Sequence, residues 1–296
     1  MKIVVAGASG NVGYRTAERL IDGGVFPVLI ARNTKAVKPL LDRGAQLVAG
    51  GLDSFEVLDA ATANADALLW MTPPALSEPS LQGWYRRTAR LAAQAIEKNG
   101  VKRVVHISAM GALQNTGLGT ASYVAEVELA LAAACRNLVN LRPGYFMQNL
   151  AQQLKEISKL PENQPAELQM TFAPDHDVPW ISAFDIGDVA AGYLMEPTWA
   201  GQWSRNLMGP QNLTMVEVAE IVSIAANRSV RYQQIPLEAM SEIFAAQGAN
   251  KKVQSEMTDL LTALGDKDGV YATTRTFEAA TPTTLKQFVE NCLGVR

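Results

Sequence analysis

Side chains that commonly bind metals or form disulfides are rare in this sequence. It contains two cysteines, Cys135 and Cys292, and two histidines, His106 and His176. These four residues are far apart and match no ligand spacing of a structural zinc site, so we expect no metal. Two widely separated cysteines also indicate a reducing compartment. His106 stands inside the apolar run of residues 104–107, which favours a buried structural histidine over a ligand.

The sequence also lacks a basic block and an apolar run of bilayer length. Lysine and arginine number 26 against 29 acidic residues, and the formal net charge of −3 argues against a nucleic-acid surface. No apolar run approaches the length that spans a bilayer, and a predicted strand from residue 2 leaves no room for a signal peptide. We therefore predict a cytoplasmic protein with no direct nucleic-acid or membrane partner.

What the sequence does contain is a glycine-rich turn at its start. Residues 2–6 form an apolar, β-branched run, and the segment Gly-Ala-Ser-Gly-Asn-Val-Gly follows at residues 7–13. An amphipathic stretch over residues 14–21 comes next. The order of strand, glycine turn and helix is typical of a dinucleotide-binding site.

The three glycines of this turn have separate expected roles. Gly7 permits the tight turn, Gly10 lets the backbone approach a pyrophosphate, and Gly13 lets the helix pack closely on the sheet. The phosphates then lie at the N-terminus of the first helix, where free N–H groups attract negative charge. The residues predicted to bind the dinucleotide here are Gly7, Ser9, Gly10, Asn11, Val12 and Gly13.

The end of the second predicted strand, residues 27–31, indicates which dinucleotide is bound. A site for NAD places an acidic residue there to hold the ribose 2′-hydroxyl, but residues 25–41 contain none. Arg32 follows the strand instead, and a guanidinium complements a 2′-phosphate. We therefore predict NADP(H), with Arg32, Asn33 and Lys35 near the phosphate; the alternative is an ordinary surface arginine at a strand end.

Further strands are predicted over residues 46–49, 67–71, 103–107 and 138–141, alternating with helices over 54–62, 81–98 and 123–134. This alternation predicts an α/β fold with a doubly wound parallel sheet. Ligands of such sheets bind beyond the carboxyl ends of the strands, so the loops there are expected to converge. They add these predicted cofactor-binding residues: Met71, Thr72, Pro73, Ser108, Ala109, Pro143, Tyr145 and Phe146.

After residue 150 the pattern loosens. A strand over residues 179–182 and a helix opening at 185–190 are predicted, and Thr214 with Glu217 forms a capping box before a further helix. We predict that residues 1–150 form the dinucleotide-binding domain, with residues 180–195 returning to it. Residues 151–296 are predicted to form a smaller, mostly helical substrate lobe.

Several of these motifs together resemble the atypical short-chain dehydrogenase/reductases, in particular the NmrA-like group with its quinone-reductase-like members. The resemblance lies in residues 6–13, 31–32, 100–108, 141–149 and 185–190, in that order along the chain. It implies a Rossmann fold, binding of NAD(P)(H), and a small C-terminal lobe that closes a substrate pocket over the nicotinamide.

The sequence departs from this family at a lysine. Family reductases often carry a lysine upstream of the arginine of the Arg-Pro-Gly motif, which is Arg142 here, near an acidic pair that Glu126 and Glu128 match. Val124 then occupies the lysine position. In the other register, a Tyr-x-x-x-Lys dyad from Tyr123 would need a lysine where Val127 stands. Either way the ammonium that lowers the pKa of a tyrosine acid is missing. Gly51 likewise replaces an aspartate that the family commonly has near the adenine.

Two functions follow from this pattern. In the first, the protein is an oxidoreductase that transfers hydride from NADPH to a small electron-poor acceptor such as a quinone. Its candidate catalytic proton donors are Ser108 and Tyr123, with Tyr145 or water as alternatives. In the second, it is a non-catalytic, NADP-dependent redox sensor that regulates a protein partner. A nucleotide-sugar epimerase is less favoured because that chemistry needs the tyrosine–lysine pair, and a homodimer through the helices over 81–98 and 123–134 is left open.

Overall fold

Residues 1–113, 117–161 and 164–295 are described by a computed structural model of the chain. Residues 162, 163 and 296 of the predicted substrate lobe therefore lie outside the described residues. The strands are β1 (Ile3–Ala6), β2 (Val28–Ala31), β3 (Gln46–Ala49), β4 (Ala67–Trp70), β5 (Arg103–Ile107), β6 (Leu138–Pro143), β7 (Tyr145–Phe146), β8 (Ala166–Met170), β9 (Val178–Ile181), β10 (Gln202–Leu207), β11 (Asn212–Leu213) and β12 (Val230–Gln234).

The helices follow the strands in regular alternation over the first half of the chain. They are α1 (Asn11–Asp22), α2 (Lys38–Asp42), α3 (Phe55–Thr62), α4 (Leu81–Asn99), α5 (Thr120–Ala134), α6 (Ala151–Ile157), α7 (Ala183–Met195), α8 (Met215–Ala226), α9 (Leu237–Ala246), α10 (Lys251–Gly265) and α11 (Leu285–Leu293). A short 3-10 helix, Met147–Leu150, precedes α6.

Seven strands form the central sheet in the order β10-β6-β5-β4-β1-β2-β3. Each neighbouring pair is parallel; Val5 of β1, for example, lies opposite Leu29 on one side and Leu69 on the other. β1 and β4 are buried along their whole length, as expected for strands covered by helices on both faces. The predicted α/β fold with a doubly wound parallel sheet is confirmed.

The covering helices create two apolar cores. On one face α3, α4 and α5 pack around the fully buried Trp70, and on the other α1, α2 and α7 pack around Leu29. α7 contacts α1 closely because Gly187 has no side chain: a Cβ there would lie 2.8 Å from Cβ of Arg15. The Arg15 guanidinium then reaches Asp188 on α7, with Nε 2.6 Å from Oδ1.

Most of the predicted helix ends are confirmed. Ser54 caps α3 by accepting a hydrogen bond from the Val57 amide at 3.3 Å, and Gly100 ends α4 in the left-handed conformation, with a φ of 63°. The capping box of Thr214 and Glu217 is also present. α5, however, begins at Thr120 rather than at residue 123.

The strand predicted over residues 179–182 is present as β9, but the other strands after β6 are not predicted from the sequence. β8 pairs in parallel with β12, and β9 joins β7 and β11 in a second small sheet. These sheets and the helices around them enclose a third core that includes Phe172 and Trp180. β10 joins the central sheet instead, placing Arg205 opposite Leu141 of β6. It escapes prediction because it is an edge strand in which polar, partly exposed residues dominate.

The surroundings of His106 are those of a structural residue. His106 lies in β5, is 1% exposed, and its Nδ1 is 2.9 Å from Oδ1 of Asn140, which confirms a buried structural histidine.

In the part of the chain that the structure describes, no helix combines the length and apolar character needed to cross a bilayer.

Candidate functional site

The turn at residues 7–13 has the geometry that its glycines predict. Gly7 adopts a φ of +69°, which is accessible chiefly to glycine, and the Gly10 amide donates to its carbonyl at 3.0 Å. A Cβ at Gly13 would lie 2.5 Å from the same carbonyl oxygen, so α1 packs directly on the turn. A Cβ at Gly10 would meet protein only at 3.5 Å. The fold alone would therefore tolerate a side chain here, and the role of Gly10 beside a pyrophosphate stays a prediction.

The N-terminus of α1 is open to an anion. Gly10 occupies the N-cap position, no side chain caps the helix, and its first turn contains no acidic residue. The amides of that first turn are therefore available to an external acceptor, and the helix dipole favours a negative one. Ser9 and Asn11 are exposed beside these amides, whereas Val12 is buried in the core.

A cavity of about 180 Å³ adjoins the turn. It brings together three of the predicted loops, and its lining includes Ser9, Arg32, Met71, Pro73 and Trp84. Arg32 is exposed at this cavity, and among the described residues no carboxylate lies within ion-pair distance of it. An arginine with no carboxylate partner beside free helix amides fits a phosphorylated dinucleotide.

Gly51, where the resembling family has an aspartate, lies next to Arg32. A Cβ at Gly51 would be 3.5 Å from Cδ of Arg32 and 2.2 Å from Oδ1 of Asp53. The carboxylate of Asp53 therefore occupies the space that a side chain at position 51 would enter. The sequence does not show that the Asp53 carboxylate fills this space, because that depends on how the loop after β3 folds.

Two other predicted cofactor-binding residues, Asn33 and Thr72, have roles in the fold. Asn33 accepts a hydrogen bond from the Ala36 amide at 3.2 Å, which shapes the turn after β2. Thr72 is buried and its Oγ1 accepts from Nε1 of Trp70 at 3.1 Å, so its side chain belongs to the core. Lys35 is exposed in the same turn as Asn33.

Ser108 belongs to a buried charged group under the next loop. Its Oγ donates to Oε1 of Glu128, which is 2% exposed. Arg142 binds the same carboxylate with two hydrogen bonds, Nε–Oε1 at 2.9 Å and Nη2–Oε2 at 2.6 Å. The ends of β5 and β6 are thus held through one carboxylate on α5.

The loops that follow these two strands are also joined by backbone. The Met110 amide donates to the Pro143 carbonyl at 3.1 Å. Ala109 is half-buried in the first loop, whereas Pro143 is buried, and Phe146 packs against the core on the α1 face.

Tyr123 is held by a residue from the far end of the chain. Its hydroxyl donates to Oε1 of Glu256 at 3.3 Å, and Glu256 is fully buried on α10. The same carboxylate accepts from Ser80 Oγ at 2.9 Å and from the Leu81 amide at 2.7 Å, capping α4. Burial and this negative charge raise the pKa of Tyr123 to about 12.

A second, larger cavity of about 930 Å³ lies between α6, β8 and β12 on one side and α9 and α10 on the other. Tyr145 lines it and is fixed by edge-to-face contacts with Trp180 and Phe172, at centroid distances of 5.1 and 5.2 Å. Asn149 lines the same cavity. Burial raises the pKa of Tyr145 to about 12, although the neutral side chain of Asn149 opposes this rise.

Sequence reasoning misses most of this second cavity. Met240, Ile243 and Leu261 line it from α9 and α10. The only available signal is their spacing on amphipathic helices, which does not distinguish a cavity lining from a core. No group of three or more potential metal ligands occurs in the described ranges.

The parallel sheet, the glycine turn and the open helix N-terminus define a Rossmann-type dinucleotide-binding protein. The sequence comparison narrows this class. A model of the NmrA-like family matches residues 1–289, and the chain belongs to that family. The predicted resemblance is confirmed.

Similar proteins include named oxidoreductases. An NAD(P)H azoreductase from Xenophilus azovorans is 27% identical over 288 residues, covering 97% of this chain and 96% of that protein. An uncharacterised oxidoreductase from Bacillus subtilis is 27% identical over 290 residues, covering 97% and 93%.

Similar structures cover almost the whole chain. The Citrobacter sp. triphenylmethane reductase complexed with NADP(H) has a TM-score of 0.77 at 19% identity, covering 98% of this chain and 99% of that one. The Escherichia coli NADPH-dependent quinone oxidoreductase complexed with NADPH has a TM-score of 0.76 at 19% identity, with the same coverage. At this identity the likeness establishes the fold.

Proposed function

We propose that this protein is an NADPH-dependent reductase that transfers hydride to a small, electron-poor acceptor such as a quinone. The observation that carries the proposal is the uncapped N-terminus of α1 beside Arg32, which has no carboxylate partner among the described residues. The azoreductase, quinone oxidoreductase and triphenylmethane reductase that the chain resembles support the reaction class.

NADPH, when bound, supplies the hydride. The chain's own residues bind and orient this cofactor. The first-turn amides of α1 would hold the pyrophosphate, and the Arg32 guanidinium would hold the 2′-phosphate. Residues 1–150 with 180–195 form this cofactor domain. The lobe from residue 151 onward supplies the cavity of about 930 Å³ in which the acceptor is held.

The two predicted proton donors, Ser108 and Tyr123, both donate to buried carboxylates, Glu128 and Glu256. Either hydroxyl would have to leave a charged partner before it could reach an acceptor. A hydrogen bond to a charged group is worth about 1.5–3 kcal/mol. Their catalytic role stays a prediction, which the variants Ser108→Ala and Tyr123→Phe test by their turnover numbers. A homodimer through α4 and α5 likewise stays a prediction.

The function is tested by two measurements on the purified protein. Calorimetric titration with NADPH should give saturable binding, and a panel of benzoquinones and naphthoquinones should then cause steady oxidation of NADPH. Binding without turnover across the panel would contradict the reductase and favour the redox sensor. No binding of either nicotinamide coenzyme would contradict both.

A further inference from the structure

We propose that Tyr145 is the catalytic residue that supplies a proton to a quinone acceptor. The inference rests on the proposed reductase function and adds the residue that takes over from the missing tyrosine–lysine pair. It is carried by the placement of Tyr145 at the acceptor cavity.

Tyr145 lies near the carboxyl edge of the central sheet and lines the large cavity of the lobe. It follows the end of β6 directly, at the carboxyl edge of the sheet on which the glycine turn also lies. One side chain therefore connects the cofactor edge of the sheet with the space available to an acceptor.

The ring of Tyr145 is rigidly held, and its hydroxyl is available. Trp180 and Phe172 contact the ring edge-to-face, and both are buried. The neutral side chain of Asn149 lines the same cavity and opposes the rise in the pKa of Tyr145. A neutral neighbour competes less for the hydroxyl proton than a carboxylate, because hydrogen bonds to neutral groups are weaker than those to charged ones.

Other acidic groups near this edge are occupied. The hydroxyl of Tyr232, which comes from β12, donates to the Met170 carbonyl at 2.9 Å. His106 is bonded to Asn140, and burial lowers its pKa to about 4, so it is neutral at physiological pH. Ser108 and Tyr123 donate to carboxylates, as described above. Among these, Tyr145 alone combines a cavity-facing position with a neutral neighbour.

The proton balance of the reaction is simple. Hydride adds to the quinone with its two electrons and leaves negative charge on a quinone oxygen. The O–H bond of Tyr145 breaks as the new O–H bond of the hydroquinone forms, and the tyrosine oxygen regains a proton from water that enters the open cavity. With its raised pKa, the hydroxyl is protonated throughout the neutral pH range and donates a hydrogen bond to the charge as it develops.

The first test is Tyr145→Phe, which keeps the ring contacts. The variant should lower kcat for a benzoquinone by about 100-fold, the lower end of what a positioned acid contributes. A cationic triarylmethane dye takes up hydride alone and needs no proton, so its kcat should change less than about twofold. In the wild type, D₂O should slow the quinone reaction and not the dye reaction. Equal losses with both acceptors, or no loss with either, would overturn the proposal.

A second test does not depend on turnover. Pentafluorophenolate carries an anionic oxygen like that of a reduced quinone. Tyr145→Phe should weaken its binding and raise its calorimetric Kd about tenfold to a hundredfold. Binding of hexafluorobenzene, which has no such oxygen, should be unchanged. The control is Tyr193→Phe, from a surface aromatic cluster with Trp199 and Trp203, which should alter neither ligand.

The turnover assay and the phenolate titration distinguish a failure of the proposed reductase function from a failure of the role proposed for Tyr145. Wild-type protein that oxidises no NADPH with either acceptor would contradict the proposed function, and the phenolate titration would still measure the hydrogen bond from Tyr145. Unchanged phenolate affinity in Tyr145→Phe would overturn the role of Tyr145 even if the reductase activity is present.

Discussion

Both carboxylate oxygens of Glu128 are bound by the guanidinium of Arg142, although the Glu128 side chain is only 3% exposed and that of Arg142 18%. Ser108 donates to the same carboxylate. The pair therefore joins α5 to the ends of two neighbouring strands, at the edge of the sheet where the dinucleotide is expected to bind. Because this ion pair is largely buried, breaking it should lower the free energy of unfolding more than breaking an exposed pair would.

Glu128→Gln should lower the free energy of unfolding by about 3 kcal/mol. The substitution leaves the half-buried Arg142 charge without a counter-charge at a site that is closed on the Glu128 side, which costs several times more than losing an exposed pair. Urea denaturation of the protein without ligand measures the change.

Glu126→Gln is the matched control for this experiment. Glu126 is two residues away on the same helix and pairs with Arg86, but their side chains are 33% and 61% exposed. The loss should be below about 1 kcal/mol. Similar losses in the two variants would contradict the assignment of Glu128 as a buried structural link.

Gly13→Ala should destabilise the turn and remove dinucleotide binding together. The added Cβ would lie 2.5 Å from the Gly7 carbonyl oxygen and force α1 away from the turn. Gly192→Ala, inside α7 with nothing within 4 Å of the added Cβ, should instead be neutral or stabilise the fold by up to about 1 kcal/mol. Thermal denaturation with and without NADPH checks both; a Gly13→Ala protein with normal NADPH stabilisation would contradict the account.

His106 should make the fold sensitive to mild acid. Burial lowers its pKa from the ordinary 6.5 to about 4. Between these values the unfolded chain binds a proton that the folded chain does not. The stabilisation is therefore complete above pH 6.5 and is lost as the pH falls toward 4, with about 2 kcal/mol of it gone at pH 5.

The variant His106→Asn isolates this contribution. Its free energy of unfolding should fall by about 2 kcal/mol less than that of the wild type between pH 7 and pH 5, even if the variant is less stable at both. Parallel pH dependences in the two proteins would show that His106 does not titrate in this way.

The first half of the fold is predictable because its signals are local. β1, the glycine turn and α1 stand in one continuous stretch, and Ser54 or Gly100 marks a helix end by its own chemistry. β8 also has a local signal, since its residues alternate between buried and exposed. The alternation covers only five residues, within a region that is predicted to be mostly helical, so β8 is not predicted.

The rest depends on contacts between distant segments. β10 becomes a strand because it pairs with β6, and its own polar residues do not indicate this. Glu256 caps α4 from 175 residues further along the chain, which no local pattern shows. The acceptor cavity is similarly built from helices that look like ordinary amphipathic ones. Local chemistry thus predicts the cofactor side of the site, whereas the acceptor side requires the structure.

The central claim is that Arg32 recognises a 2′-phosphate, and the Kd values of NADPH and NADH for Arg32→Ala test it most directly. Loss of a charged hydrogen bond worth about 1.5–3 kcal/mol should weaken the binding of NADPH about tenfold to a hundredfold and leave the binding of NADH nearly unchanged. Arg90→Ala, an exposed arginine on α4, is the control and should change neither Kd. Unaltered NADPH affinity in Arg32→Ala, or an equal loss for both coenzymes, would contradict the account.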